Sequence, residues 1–147
     1  MIDDLYSDRI LRLAANMPRA GRLAAPHGTA EKTAKLCGSR VVVDVRLEGD
    51  RVVDFAQEVK ACALGQAAAA ILGAQVTGAS RDEIMAGRDG LRAMLKAGGS
   101  PPAGRFADLA VLAPVRDFPP RHASTMLAFE AALAAVDAAM AARAEAA

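Results

Sequence analysis

Two cysteines, Cys37 and Cys62, are the residues in this chain best suited to chemistry. Each stands at a boundary. Cys37-Gly38 comes directly before an alternating apolar run, and Cys62 lies between a second such run and an alanine-rich stretch. If the two runs form a hairpin, their near-equal lengths at ~3.3 Å per residue lead up and back, returning the thiols to one sheet edge. The two thiols are 62 − 37 = 25 positions apart in sequence. At a helix N-terminus Cys62 also meets partial positive charge, which favours the thiolate that binds metal or attacks sulfur. Spacing alone leaves a plainer reading equally open, in which each free cysteine is a small buried hydrophobe. One disulfide is arithmetically possible; a multi-bridge framework is excluded.

The elements that must position these thiols follow from periodicity. Residues 2–17 place Ile2, Tyr6, Ile10, Leu13 and Met17 at helical spacing, and Pro18 and Gly21 end that helix. Polar, glycine-containing sequence leads to residues 29–35, a weak third strand. Val41, Val43, Val45 and Leu47 then alternate with Val42, Asp44 and Arg46 as a half-buried strand. Glu48-Gly49-Asp50 supplies a turn, and Val53, Phe55 and Val59 continue the alternation over 51–59.

From Leu64 to Val76 the period becomes helical, with alanines that permit close approach to a sheet. Ser80 and Glu83 form a capping box for a short helix reaching Ala86, and 89–97 reads as another short helix. Gly98 to Pro102 is a solvated loop, and 105–113 holds a helical turn or two before Pro114. A last helix begins near Ala123, with Met126, Phe129, Leu133, Val136 and Met140 on its core face and a fraying tail over 141–147. The order predicts one α+β domain over residues 1–147: a three-stranded antiparallel sheet with helices mainly on one face.

Composition excludes several function classes. With 18 basic and 17 acidic side chains in 147 residues, the net charge of +1 lacks the basic excess of a nucleic-acid binder, and 3% aromatic content leaves little for base stacking. No apolar run approaches the ~20 residues of a membrane span, and Met1-Ile2-Asp3-Asp4 is acidic where a secretory signal is basic. The expectation is a cytoplasmic protein with free thiols, binding neither nucleic acid nor membrane. No glycine-rich phosphate loop or nucleophile–base motif is present. Arg19, Arg22 and Arg40 are basic residues that could attract an acidic partner, and His27 reads as surface.

The ordered fragments resemble the U-type iron–sulfur cluster assembly scaffolds, the IscU/NifU N-terminal family and its SufU branch. Asp4-Leu5-Tyr6 and Asn16-Met17-Pro18-Arg19-Ala20-Gly21 are similar to the family opening. Cys37-Gly38-Ser39 stands where the family has Cys-Gly-Asp, Glu48 to Phe55 matches its hairpin, and Ala61-Cys62-Ala63-Leu64 stands at its second cysteine. The segment over about 89–115 resembles the insertion that marks the SufU branch. Two positions depart: aligned from Asp117-Phe118-Pro119-Pro120-Arg121, the family's third cysteine falls on Ser124, and its aspartate falls on Ser39. Serine is a poor metal ligand beside thiolate, imidazole or carboxylate. His122, two residues before Ser124, is a replacement ligand in the same corner; its plainer reading is a polar residue touching solvent at a helix start.

The resemblance implies a scaffold or carrier, not an enzyme, holding iron and sulfide on Cys37 and Cys62, with His122 completing a weak metal site. Ser39 and Ser124 surround it. Its cargo is a transient 2Fe–2S cluster; zinc, or no metal at all in the purified protein, is the alternative. The implied partners are a cysteine desulfurase and acceptor apoproteins. Two other readings stand beside it: a zinc-dependent sulfur acceptor for the desulfurase, in which sulfur transfer is the activity, and a degenerate member that only binds partners.

Overall fold

The computed structural model describes residues 6–35 and 38–146. Helix α1 (Asp8–Ala15) is capped by Ser7, whose hydroxyl accepts from Ile10 N. Strands β1 (Gly28–Ala34), β2 (Ser39–Glu48) and β3 (Arg51–Lys60) follow, then helices α2 (Ala63–Gln75) and α3 (Arg81–Ala97). Two stretches of 3-10 helix, Gly104–Asp117 and Pro119–Arg121, lead into α4 (His122–Ala146). The sheet is antiparallel in the order β1-β2-β3, as the alternating runs predict. Gly49 carries φ +64° at the two-residue hairpin turn, where a positive φ matches the twist of the strands.

Val43, Val45, Phe55 and Gln57 share one face of the sheet and meet the helices there. Gln57 Nε2 donates to Ala69 O of α2 at 2.9 Å. Gly28, opposite Val45, lies so close to α4 that a Cβ there would sit 2.3 Å from Ala135 O. α4 is therefore the central helix. Leu127, Ala128, Ala131, Ala132 and Ala135 are buried along with Met126, Phe129, Leu133 and Val136, so only a narrow stripe through Ala123, Glu130 and Ala134 is left to solvent in its first half. Burial of most of that surface accounts for its apolar composition. Residues Pro119–Glu145 are long and apolar enough to cross a bilayer, contrary to the expectation that no such run exists, and 61% of the apolar window is inside the protein. The helix runs to Ala146, and Arg143 Nη1 donates to Gly49 O at 2.7 Å.

Three local expectations are corrected by packing. Leu47 pairs with Val52 but Arg46 pairs with Asp54, so Val53 is the extra residue of a β-bulge. Val52 consequently points into the core and Val53 is 45% exposed, the reverse of simple alternation. The two short helices expected around residues 80–97 are one helix, α3, with the Ser80–Glu83 capping box at its start. Gly87 does not break it: this glycine lets the Phe106–Phe129 edge-to-face pair approach, since a Cβ there would lie 2.8 Å from the Phe106 ring. The third correction concerns Gly104–Asp117. Its buried residues Phe106, Leu109, Leu112 and Val115 recur every third position, the period of a 3-10 helix, and it runs past Pro114.

The outer edge of β3 is covered by loops, while the second sheet face is buried only at its middle, around Asp44 and Ala56. Residues 19–21 pair with Gln57 through Gly21 N→Gln57 O and Gln57 N→Arg19 O, and residues 78–80 pair beside Val52. These pairings blunt an edge strand that would otherwise be open. Arg22, one of the basic residues that could attract a partner, grips Asp44, whose side chain is wholly buried on that second face. Thr29 Oγ1 and Leu23 N donate to the same carboxylate. Burial alone pushes the Asp44 carboxyl up; the hydrogen bonds from Arg22, Thr29 and Leu23 outweigh it and hold it below the usual carboxylate range. Arg40 is likewise engaged, by Glu31.

Candidate functional site

One end of the sheet gathers three residues named from the sequence, Ser39, Cys62 and Ser124. Ser39 opens β2, Cys62 follows β3 by two residues, and Ser124 lies in the first turn of α4. Arg40 pairs with Lys60, so the start of β2 and the end of β3 lie side by side. Cys62 is the N-cap of α2, as expected, and its side chain makes no capping hydrogen bond. The sulfur is thus free to turn elsewhere. It lies 3.2 Å from Ser124 Oγ, and Ser124 Oγ lies 3.3 Å from Ser39 Oγ. Both serines are buried, whereas Cys62 is half-buried. A chain of hydroxyl, hydroxyl and thiol runs from the interior to the surface.

Gly65 makes this contact possible. A Cβ on it would stand 2.8 Å from Ser124 Oγ and 2.9 Å from Ser124 O. The first turns of α2 and α4 therefore touch backbone to side chain. In the sequence, the only sign of this contact is a glycine three residues after Cys62.

His122 is buried and does not touch solvent as its plainer reading held. Its Nε2 lies 3.0 Å from Val115 O. A carbonyl can only accept, so Nε2 carries the proton and, in the neutral ring, Nδ1 keeps the lone pair. Metal-binding histidines use this arrangement, donating one ring N–H to a carbonyl while the other nitrogen ligates. His27 is exposed, as expected, and its Nδ1 accepts from Leu47 N at 2.9 Å, standing in for a strand carbonyl just before β1.

Cys37 lies outside the described residues, and so does the expected approach of Cys37 to Cys62. Among the described residues no three His, Cys, Asp or Glu side chains are grouped to hold a metal ion. The chemistry available in the described part is that of one thiol beside two hydroxyls. A groove of about 610 Å³ lined by His27, Leu47, Gly49, Ala139 and Arg143 lies at the opposite end of the sheet and shares no residue with this corner.

The fold and site together define a small α+β domain that presents a thiol at a helix N-terminus, beside a central buried helix. The sequence model of the NifU-like N terminal domain matches residues 5–143. The chain is 48% identical to a nitrogen-fixing NifU-like protein (N-terminal) from Brucella abortus, covering 95% of this chain and 97% of that one, with a TM-score of 0.93. The fold is shared with a protein from Fervidobacterium islandicum AW-1 described as a candidate iron–sulfur cluster assembly scaffold for the SUF system. That protein is 21% identical, with 91% and 98% coverage and a TM-score of 0.83. A hypothetical protein of known structure is 22% identical, with 92% and 98% coverage and a TM-score of 0.81. No curated protein matches the chain. This chain belongs to the NifU-like N-terminal domain family.

Proposed function

We propose that the protein is an iron–sulfur cluster assembly scaffold that holds iron and sulfide on Cys37 and Cys62 before transfer to acceptor proteins. The observation that carries this reading is the family match over residues 5–143 together with a thiol at the N-cap of α2. Thiolate is the ligand that soft metal and iron–sulfur chemistry select. The cargo is a transient 2Fe–2S unit, received with the help of a cysteine desulfurase in the cytoplasm, where thiols stay reduced. His122 offers Nδ1 as the added ligand, its ring oriented by Val115 O.

The ligand set is weak by construction. Ser39 and Ser124 occupy two positions where the resembled family carries stronger ligands, and a tetrahedral set left one protein ligand short favours release over retention. Release is what a carrier requires. Metal and sulfide per chain after anaerobic purification test the reading, in wild type, Cys37→Ala, Cys62→Ala and His122→Ala. Iron with sulfide that disappears in both cysteine variants supports the scaffold. Zinc without sulfide supports a zinc-dependent sulfur acceptor instead, and a full load in both cysteine variants overturns the site. Loss in the cysteine variants with His122→Ala unchanged removes only the histidine.

A further inference from the structure

The Cys62 sulfur is one hydrogen bond from a buried hydroxyl that is itself one hydrogen bond from another. We infer that Ser124 is a positioning residue: its hydroxyl, held by Ser39, aims the Cys62 sulfur into the corner between α2 and α4 where cargo is loaded. This rests on the reading of Cys62 as a loading thiolate. The geometry leaves Ser124 little choice. The absent Cβ of Gly65 would already crowd its oxygen at 2.8 Å, so the hydroxyl is confined between the first turn of α2 and Ser39. Cys62, half-exposed and with no capping bond of its own, has no comparable restraint among the described residues except this one.

The hydroxyl serves both states of the sulfur. In the thiol, Cys62 S–H donates to Ser124 Oγ. In the thiolate, Ser124 O–H turns to donate to the sulfur, and Ser39 O–H donates to the oxygen so exposed. Ser124 is therefore no ligand. It acts on the ligand, as groups hydrogen-bonded to a metal ligand do when they fix its orientation, and their loss costs metal affinity about 10–100-fold.

The hydrogen bond and its consequence are read separately. Cys37→Ala leaves Cys62 as the only thiol of the chain, so its Raman S–H stretch is unambiguous. That band is expected below the frequency of an unbonded thiol and to rise when Ser124→Ala is added, with a smaller rise for Ser39→Ala. A band at the unbonded frequency, or one unmoved by Ser124→Ala, overturns the inference. In the protein with both cysteines, iron affinity is expected to fall about 10-fold in Ser124→Ala, the low end for an outer partner. If Cys62→Ala abolishes iron binding and Ser124→Ala leaves it unchanged, the positioning role is wrong and the scaffold reading stands. If Cys62→Ala itself binds iron like wild type, the scaffold site is wrong, and the inference falls with it even where the Raman band moves. Circular dichroism on every variant separates these results from unfolding.

Discussion

Gly65 and Ser124 are in contact so close that one methyl group has no room between them. An ideal Cβ on Gly65 would fall 2.8 Å from Ser124 Oγ, 2.9 Å from Ser124 O and 2.8 Å from the Ala61 Cβ. The N-termini of α2 and α4 are locked together there, three residues beyond Cys62.

Gly65→Ala is expected to destabilise the protein by about 1 kcal/mol net. Alanine is favoured over glycine in a helix by about 1 kcal/mol, but overpacking a tight contact costs roughly 1–3 kcal/mol, and one of the obstacles is backbone that cannot rotate away. Urea unfolding at neutral pH measures the difference. An unchanged or raised midpoint would show that the two helix ends can part, and that the corner at Cys62 is not held shut.

Stability is expected to fall on acidification through the Asp44 carboxyl. Its pKa in the folded state is depressed, so the stabilisation is fully present above the unfolded value of about 3.9 and is lost as pH falls through the folded value. Asp44→Asn removes that dependence and costs about 2 kcal/mol at pH 7, the scale of hydrogen bonds to a charged group. Arg22 is half-exposed and can return to water, which keeps the cost from rising further. Unfolding free energies of both proteins between pH 7 and pH 3 check the slope; parallel curves would show that another group controls acid unfolding.

The capping box of α3 is expected to be worth about 1 kcal/mol through Ser80. Its hydroxyl accepts from Glu83 N while Glu83 Oε1 accepts from Ser80 N, and Ser-to-Ala changes at such caps cost about that much. Glu83→Ala is expected to cost more than Ser80→Ala, because Arg105 and Arg51 also donate to its carboxylate. Equal losses in thermal unfolding would mean that the arginines contribute nothing measurable.

The double change Ser39→Asp with Ser124→Cys is expected to tighten metal binding. It places a carboxylate and a thiolate on positions already within 3.3 Å of one another at their side-chain oxygens, with Ser124 3.2 Å from the Cys62 sulfur. Zinc or iron competition against a chromogenic chelator reads the gain. No gain would mean that the corner differs from the resembled family in shape as well as in ligands.

The sequence by itself determined the elements and their order. Alternation over residues 41–47 and 51–59, the Gly49 turn, the Ser80–Glu83 box and the placement of Cys62 before an alanine-rich helix are local patterns, set by neighbours a few positions away. The tertiary structure decided what depends on distant chain. Val52 replaces Val53 in the core because a bulge shifts the register, and α3 runs through Gly87 because Phe106 and Phe129 need the space a side chain would take. Arg22 is taken by a buried Asp44 across 22 positions, and His122 turns Nε2 to Val115 O. The corner itself belongs to this second kind. Cys62 and Ser124 are 62 positions apart, and only the packing of α2 on α4, at a glycine, sets a hydroxyl 3.2 Å from the sulfur. Periodicity records which face of an element is buried; it carries no record of which distant side chain will be buried against it.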